Sequence, residues 1–186
     1  FPYTTLFRSL CTVAVAQAMG ARVSAIANSE FRRDLALAVG AEVACLAGEG
    51  TGAGIEADLI VLTANTWDAY RESVDIARFG GRISVLGFPG RAQPDPGFNP
   101  LAMEWFYGKQ LILAGSGFSP RADVPPQEIT FNVRRNIDLI FDYARRGKLP
   151  LERIITHRFP GRQLVDAYEL ALTHSKQMAA AIFDWR

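Results

Sequence analysis

The residues best placed by type and spacing to do chemistry are the glycines of Gly48-Glu49-Gly50-Thr51-Gly52-Ala53-Gly54. Glycine-rich turns bind phosphate when a strand delivers them to a helix N-terminus, where unpaired N–H groups and the helix dipole meet the anion. Here the glycines lead into an apolar run, and Glu49 and Glu56 would repel phosphate, so the segment reads as a flexible connector. Cys11, Cys45, His157 and His174 are too scattered for a zinc finger or ribbon. Both thiols read instead as small buried hydrophobes of a reducing compartment. Asp58, Asp138 and Glu169 have no second carboxylate at a spacing that serves acid–base work, so no catalytic residue and no metal ligand is expected. Trp67, Trp105, Phe106 and Tyr107 lack an accompanying basic groove, and core or interface packing is expected rather than base stacking.

The chain that must position any site has 186 residues, 49% hydrophobic and 21% charged, with a formal charge of +1. A chain of that size buries roughly 70% of its unfolded surface, which excludes disordered, collagen-like and disulfide-framework classes. Near-zero charge gives no general pull toward nucleic acid or acidic membranes. Seventeen arginines against three lysines fit a base-composition bias as well as a phosphate-binding role. Arg22 breaks the longest apolar run short of a membrane span. No nucleic-acid partner, no membrane partner and a cytoplasmic location are the expectations.

Residues 1–9 read as foreign to the protein. No Met starts the chain, and Pro2 to Ser9 match the in-frame translation of a common sequencing adapter. A rival reading makes Arg8 the flank of a signal peptide with Leu10 to Ala16 as its apolar stretch. That stretch is short and a strand follows at once, so this reading is set aside.

From Leu10 onward helix and strand patterns alternate. A helix ending at Gly20 precedes a strand Val23 to Ala27, and Ser29 can cap a helix Glu30 to Val39. Glu42 to Leu46 and Leu59 to Thr63 read as strands. Asn65 or Thr66 caps a helix from Trp67 to about Ala77, which Gly80-Gly81 ends before a strand Ile83 to Gly87. A Pro- and Gly-rich excursion, an aromatic helix around Trp105 and a strand Gln110 to Gly115 follow. Pro120 to Pro126 reads as a linker, and an amphipathic helix is expected from about Gln127 to Arg146. Two further strands, Ile154 to Phe159 and Met178 to Phe183, flank a helix Gln163 to Thr173. Strands with little internal alternation between helix-length segments predict a parallel sheet covered on both faces, a doubly wound α/β fold.

Leu10 to Glu42 forms the second half of a βαβ nucleotide-binding unit, and Gly80-Gly81-Arg82-Ile83-Ser84-Val85-Leu86-Gly87 and Ile154-Ile155-Thr156-His157-Arg158-Phe159-Pro160 follow in a familiar order. Together these resemble the cofactor-binding half of the medium-chain dehydrogenase/reductase family, the zinc alcohol dehydrogenase superfamily, from Leu10 to Asp184. The resemblance implies an NAD(P)-dependent oxidoreductase that moves a hydride between nicotinamide and an alcohol or carbonyl carbon, with any zinc held in a catalytic domain preceding this sequence. It implies a Rossmann-like domain over 10–118 and a segment over 119–186 that returns to the catalytic domain, where His157 is structural. The Gly-x-Gly-x-x-Gly turn would fall on Thr4, Leu6 and Ser9, so the first strand and glycine loop are lacking.

At the end of the second family strand an acidic residue accepts hydrogen bonds from the ribose of NAD and repels a 2′-phosphate. That position is Ala27, followed by Asn28 and Ser29, with Arg32 and Arg33 a turn later, a set that favours NADP over NAD. Thr63 and Ala64 would flank the ribose side, and Leu86, Gly87, Ser116 and Phe118 would approach the nicotinamide. Family members pair through the strand equivalent to Gln110–Gly115, so a homodimer is expected there. Because fold alone does not fix function, a non-catalytic nucleotide-binding module and another doubly wound enzyme such as a methyltransferase stay open.

Overall fold

Leu6, Leu10, Val13 and Ala14 recur at i, i+4, i+7 and i+8, the spacing that lines one face of a helix. In the computed structural model all four are buried on α1 (Tyr3–Ala18). The structure describes residues 3–87, 89–90, 93–117, 119, 131–173 and 177–186. Helix α1 begins seven residues before the expected Leu10, because Leu6 continues the apolar period and joins the same core. The positions aligned with the glycine turn, Thr4, Leu6 and Ser9, therefore lie in helix.

The chain divides into two units, residues 1–46 with 143–186, and residues 47–142. In the first, α1 is followed by β1 (Ser24–Ala27), α2 (Glu30–Ala38) and β2 (Val43–Leu46), with β1 and β2 paired in parallel. Leu10 and Val39, each 1% exposed, anchor its core with Ala36, Leu149 and Ile154. Its later part holds α5 (Leu151–Ile154), β6 (His157–Pro160), α6 (Leu164–Leu172) and β7 (Ala181–Asp184). β6 and β7 pair in parallel with each other, so β7 has a strand partner within this chain. The expected strand from Ile154 starts only at His157, since Ile154 closes α5 and points into the core.

In the second unit β3 (Ala57–Leu62), β4 (Ala77–Val85) and β5 (Ile112–Gly115) form a parallel sheet in that order. α3 (Trp67–Ile76) packs on it through Tyr70 and Val74, against Ile60, Leu62, Ile83, Val85 and Leu111. The opposite row, including Leu59 at 59% exposure, Val61 and Ile112, faces outward, where the apolar run predicts burial on both faces. Trp67, Phe98 and Trp105 meet edge to face, as packing rather than stacking platforms. Among the described residues no helix is long and apolar enough to cross a membrane.

Gly80-Gly81 does not end α3. The helix stops at Ile76, and β4 begins at once, carrying the glycines inside a bulge where Ala57 pairs with Ala77 but Leu59 pairs with Arg82. A Cβ on Gly81 would lie 2.8 Å from the Arg78 carbonyl oxygen, so the bulge requires glycine. α4 (Val133–Arg145) starts after Asn132, whose Oδ1 accepts from Arg135 N at 2.9 Å; Phe131 and Asn132 are not helical, and the expected turns at 127–130 and the linker Pro120–Pro126 lie outside the described residues.

With no glycine at its end, α3 is closed by Lys109. Its Nζ donates to the carbonyl oxygens of Val74, Asp75 and Ala77 at 2.8, 2.8 and 3.1 Å, placing an ammonium where the helix dipole is negative. Lys109→Met keeps the stem and strands three carbonyls, so it is expected to cost about 2–3 kcal/mol. Urea denaturation should show a lower midpoint with an unchanged slope. An unmoved midpoint would mean that water serves those carbonyls equally well.

Candidate functional site

In the first unit, β1 delivers the chain at Ala27 to a polar turn. Ser29 is extended at φ −160°, and its hydroxyl caps α2 by accepting from Arg32 N at 3.4 Å. The Arg32 guanidinium reaches back across the turn and donates to Asn28 Oδ1 at 2.8 Å. Arg33, one position on, donates instead to the Asp34 carboxylate at 2.9 Å. Partial burial pushes the Arg32 guanidinium down from its ordinary range, though such a group keeps its charge in a protein. Asn28, Ser29 and Arg32 are thus brought together beside Ala27. The neighbouring Arg33 is paired with a carboxylate.

In the second unit, Leu62, Val85 and Gly115 share one register row, so the chain leaves all three strands at a common edge. Thr63 and Ala64, Leu86 and Gly87, and Ser116 follow there. Leu86 N and Gly87 N both donate to the Leu62 carbonyl, at 2.9 and 2.7 Å, and Ser116 N donates to the Val85 carbonyl at 3.0 Å. Gly87 is buried against the backbone of its neighbour strand, and a Cβ there would collide with the Thr63 and Ala64 carbonyl oxygens. Phe118 lies outside the described residues.

Two contributors, Ser84 and Gln93, escaped sequence reasoning, and the structure chooses between the two expected caps of α3. Ser84 Oγ lies 2.6 Å from Ser116 Oγ, fixing that hydroxyl at the edge; a lone serine in Ile83-Ser84-Val85-Leu86 was the available signal. Thr66, not Asn65, caps α3 by accepting from Ala69 N at 3.2 Å. Gln93 Oε1 accepts from Trp67 N, serving a second donor of the same helix start.

His157 Nδ1 sits 2.9 Å from Thr156 Oγ1, and its ring lies parallel to that of Phe159. Burial pushes the Cys11 thiol up, which opposes the thiolate form that a metal needs. Among the described residues no three His, Cys, Asp or Glu side chains converge, so zinc does not fit the donors present. Parts of a nucleotide suit the residues present better. The first unit has an amide and a guanidinium at a strand end, and the second, taken by itself, has a strand exit at Gly87 with no side chain.

Among the described residues every strand pairing is parallel, and most successive strands are joined through a helix. That defines a doubly wound, Rossmann-like α/β protein. The family model for zinc-binding dehydrogenases matches residues 9–131, and the chain belongs to that family, within the medium-chain dehydrogenase/reductase superfamily. Among curated relatives, L-threonine 3-dehydrogenase of Bacillus licheniformis is 29% identical over 87% of this chain and 44% of its own length. The enzyme of the same name from Saccharopolyspora erythraea is 27% identical over 95% and 48%. An alcohol dehydrogenase from Thermotoga maritima superposes with a TM-score of 0.69 at 26% identity, over 94% of this chain and 46% of that one. A short chain alcohol dehydrogenase from E. coli CFT073 complexed with NADH gives 0.70 at 20% identity, over 95% and 49%. The chain therefore spans about half the length of the relatives it matches.

Proposed function

We propose that this chain is the cofactor-binding portion of a longer NADP(H)- or NAD(H)-dependent oxidoreductase that interconverts an alcohol and a carbonyl compound. The observation that carries this reading is the family match across residues 9–131. The nicotinamide supplies the hydride chemistry, and the protein binds and orients it. In the first unit Ala27, Asn28, Ser29 and Arg32 would take the adenosine ribose, with Arg32 suited to a 2′-phosphate because among the described residues its guanidinium donates to a neutral amide oxygen rather than to a carboxylate. In the second, Thr63, Ala64, Leu86, Gly87 and Ser116, with Phe118, would take the ribose and nicotinamide. The domain division follows the same reading: 1–9 foreign, 10–118 dinucleotide-binding, 119–186 returning to a catalytic domain that holds any zinc. A homodimer through β5 is part of it, supported by the place of β5 at the end of its sheet.

The test compares NADPH, NADH and S-adenosylmethionine binding to a chain with its native upstream sequence restored. NADPH is expected to bind most tightly, and preference for S-adenosylmethionine would replace the oxidoreductase by a methyltransferase. A Cys…Gly-His-Glu reading frame upstream of Leu10 separates the enzyme from a non-catalytic nucleotide-binding module. The 186-residue chain itself is expected to bind cofactor poorly and to aggregate, because β1 and β3 each show one edge without a strand partner among the described residues. Tight NADPH binding by a monodisperse sample would contradict that.

A further inference from the structure

The glycine-rich connector is not an open loop. The carbonyls of Glu49, Gly50 and Thr51 accept from Ala53 N, Ile55 N and Gly54 N at 2.8, 3.0 and 3.0 Å, which closes the segment on itself. Ile55 is buried beneath it, and Gly48 at φ +88° and Gly54 at φ +68° make conformations that side chains disfavour. That leaves the N–H groups of Gly48 and Gly50 aimed at one point. Glu72 Oε1, from the middle of α3, accepts both, at 2.9 and 3.1 Å. Gly50 is buried, so its N–H has little recourse to water.

Backbone N–H groups of one turn, here those of Gly48 and Gly50, that converge on one atom form an anion-binding nest, the device that cradles phosphate in other glycine-rich loops. We infer that residues 48–54 form an oxyanion nest whose resident anion is the protein's own Glu72 carboxylate, and that a small free carboxylate or phosphate enters once that side chain is removed. The sequence argues against phosphate here because the glycines lead into an apolar run and because Glu49 and Glu56 would repel it. The structure adds that the place is taken. The motif is thus a self-occupied anion site that ties the connector to α3, and it stands independently of the cofactor reading.

The experiment follows the Gly48 and Gly50 amides of the protein with its native upstream sequence restored, by 15N NMR and hydrogen exchange, with acetate and with inorganic phosphate as separate titrants. In the wild type both amides are protected and neither titrant shifts them; a shift would show that the nest is not self-occupied. In Glu72→Ala, protection is expected to fall about tenfold or more, as loss of a charge-assisted acceptor implies. Acetate or phosphate should then restore it saturably, and the titrant that acts first tells whether the nest prefers carboxylate or phosphate. Undiminished protection, or no rescue by either, overturns the inference. Glu72→Gln keeps the shape and one acceptor but no charge, so it serves if the alanine variant fails to fold. Its protection should fall several-fold without rescue, because the amide still fills the nest; protection equal to the wild type would show that no anion is needed.

Discussion

Gly87→Ala should unfold the second unit or leave it several kcal/mol less stable. The new Cβ would meet two carbonyl oxygens of the neighbouring strand exit, those of Thr63 and Ala64, and both belong to backbone. A flexible side chain can swing aside, but these oxygens can retreat only if β3 and β4 separate. That would break the donations of Leu86 N and Gly87 N to the Leu62 carbonyl. Overpacking of a rigid site costs about 1–3 kcal/mol, and a clash with fixed backbone belongs at or above the top of that range. Gly115→Ala, at the same edge, is the control. Its Cβ meets nothing within 4 Å, and it should change stability by no more than about 0.5 kcal/mol. The comparison is made by urea unfolding of the two variants, and equal midpoints would remove the case for a close backbone crossing. On the proposed reading, Gly87→Ala should also weaken cofactor binding in the longer protein, because that reading sets the nicotinamide beside this crossing.

Neither the role of Gly87 nor that of Gly80-Gly81 in the backbone was legible. A glycine after an apolar strand reads as room for a ligand at the edge of a parallel sheet, whereas the structure shows a close crossing with the Thr63 and Ala64 carbonyls, which only the tertiary fold creates. Paired glycines after a helix pattern have two uses, a helix stop and a bulge, and local sequence cannot tell them apart. Lys109 decides the matter, by closing α3 from more than thirty residues away. Ser29 as a cap was readable because cap and helix are neighbours. The start of α4 was not, because Ile129 continues the apolar line of Val133 and Ile137 while Asn132, 1% exposed, is the residue that begins the helix. The apolar run Leu59 to Leu62 likewise predicts what the strand wants to bury and not what is present to bury it. α3 takes one row and Leu59, Val61 and Ile112 remain exposed.

The polar end of β1 follows the same rule. Spacing alone puts Arg32 and Arg33 a turn beyond Ala27 and leaves them equivalent. Their difference comes from partners, Asp34 for Arg33 and the Asn28 amide for Arg32. An arginine already paired with a carboxylate has less to give a phosphate, so only one of the two should set cofactor preference.

In the protein with its upstream sequence restored, Ala27→Asp should turn a preference for NADPH into one for NADH. On the proposed reading Ala27 borders the adenosine ribose, and a carboxylate there accepts from the ribose hydroxyls of NADH while repelling the 2′-phosphate of NADPH. Like charges a few ångströms apart at a half-buried surface cost about 2–3 kcal/mol, which moves the ratio of the two dissociation constants by about two orders of magnitude. Arg32→Ala should act on one side of that ratio only, weakening NADPH by about tenfold and leaving NADH within about twofold, while Arg33→Ala should change neither by more than about twofold. Fluorescence titration with both cofactors measures all three variants. If Arg33→Ala weakens NADPH as much as Arg32→Ala does, the guanidinium held by Asn28 is not the phosphate contact. If Ala27→Asp weakens both cofactors equally, the end of β1 does not face the ribose, and the choice between NADP and NAD is made elsewhere in the fold.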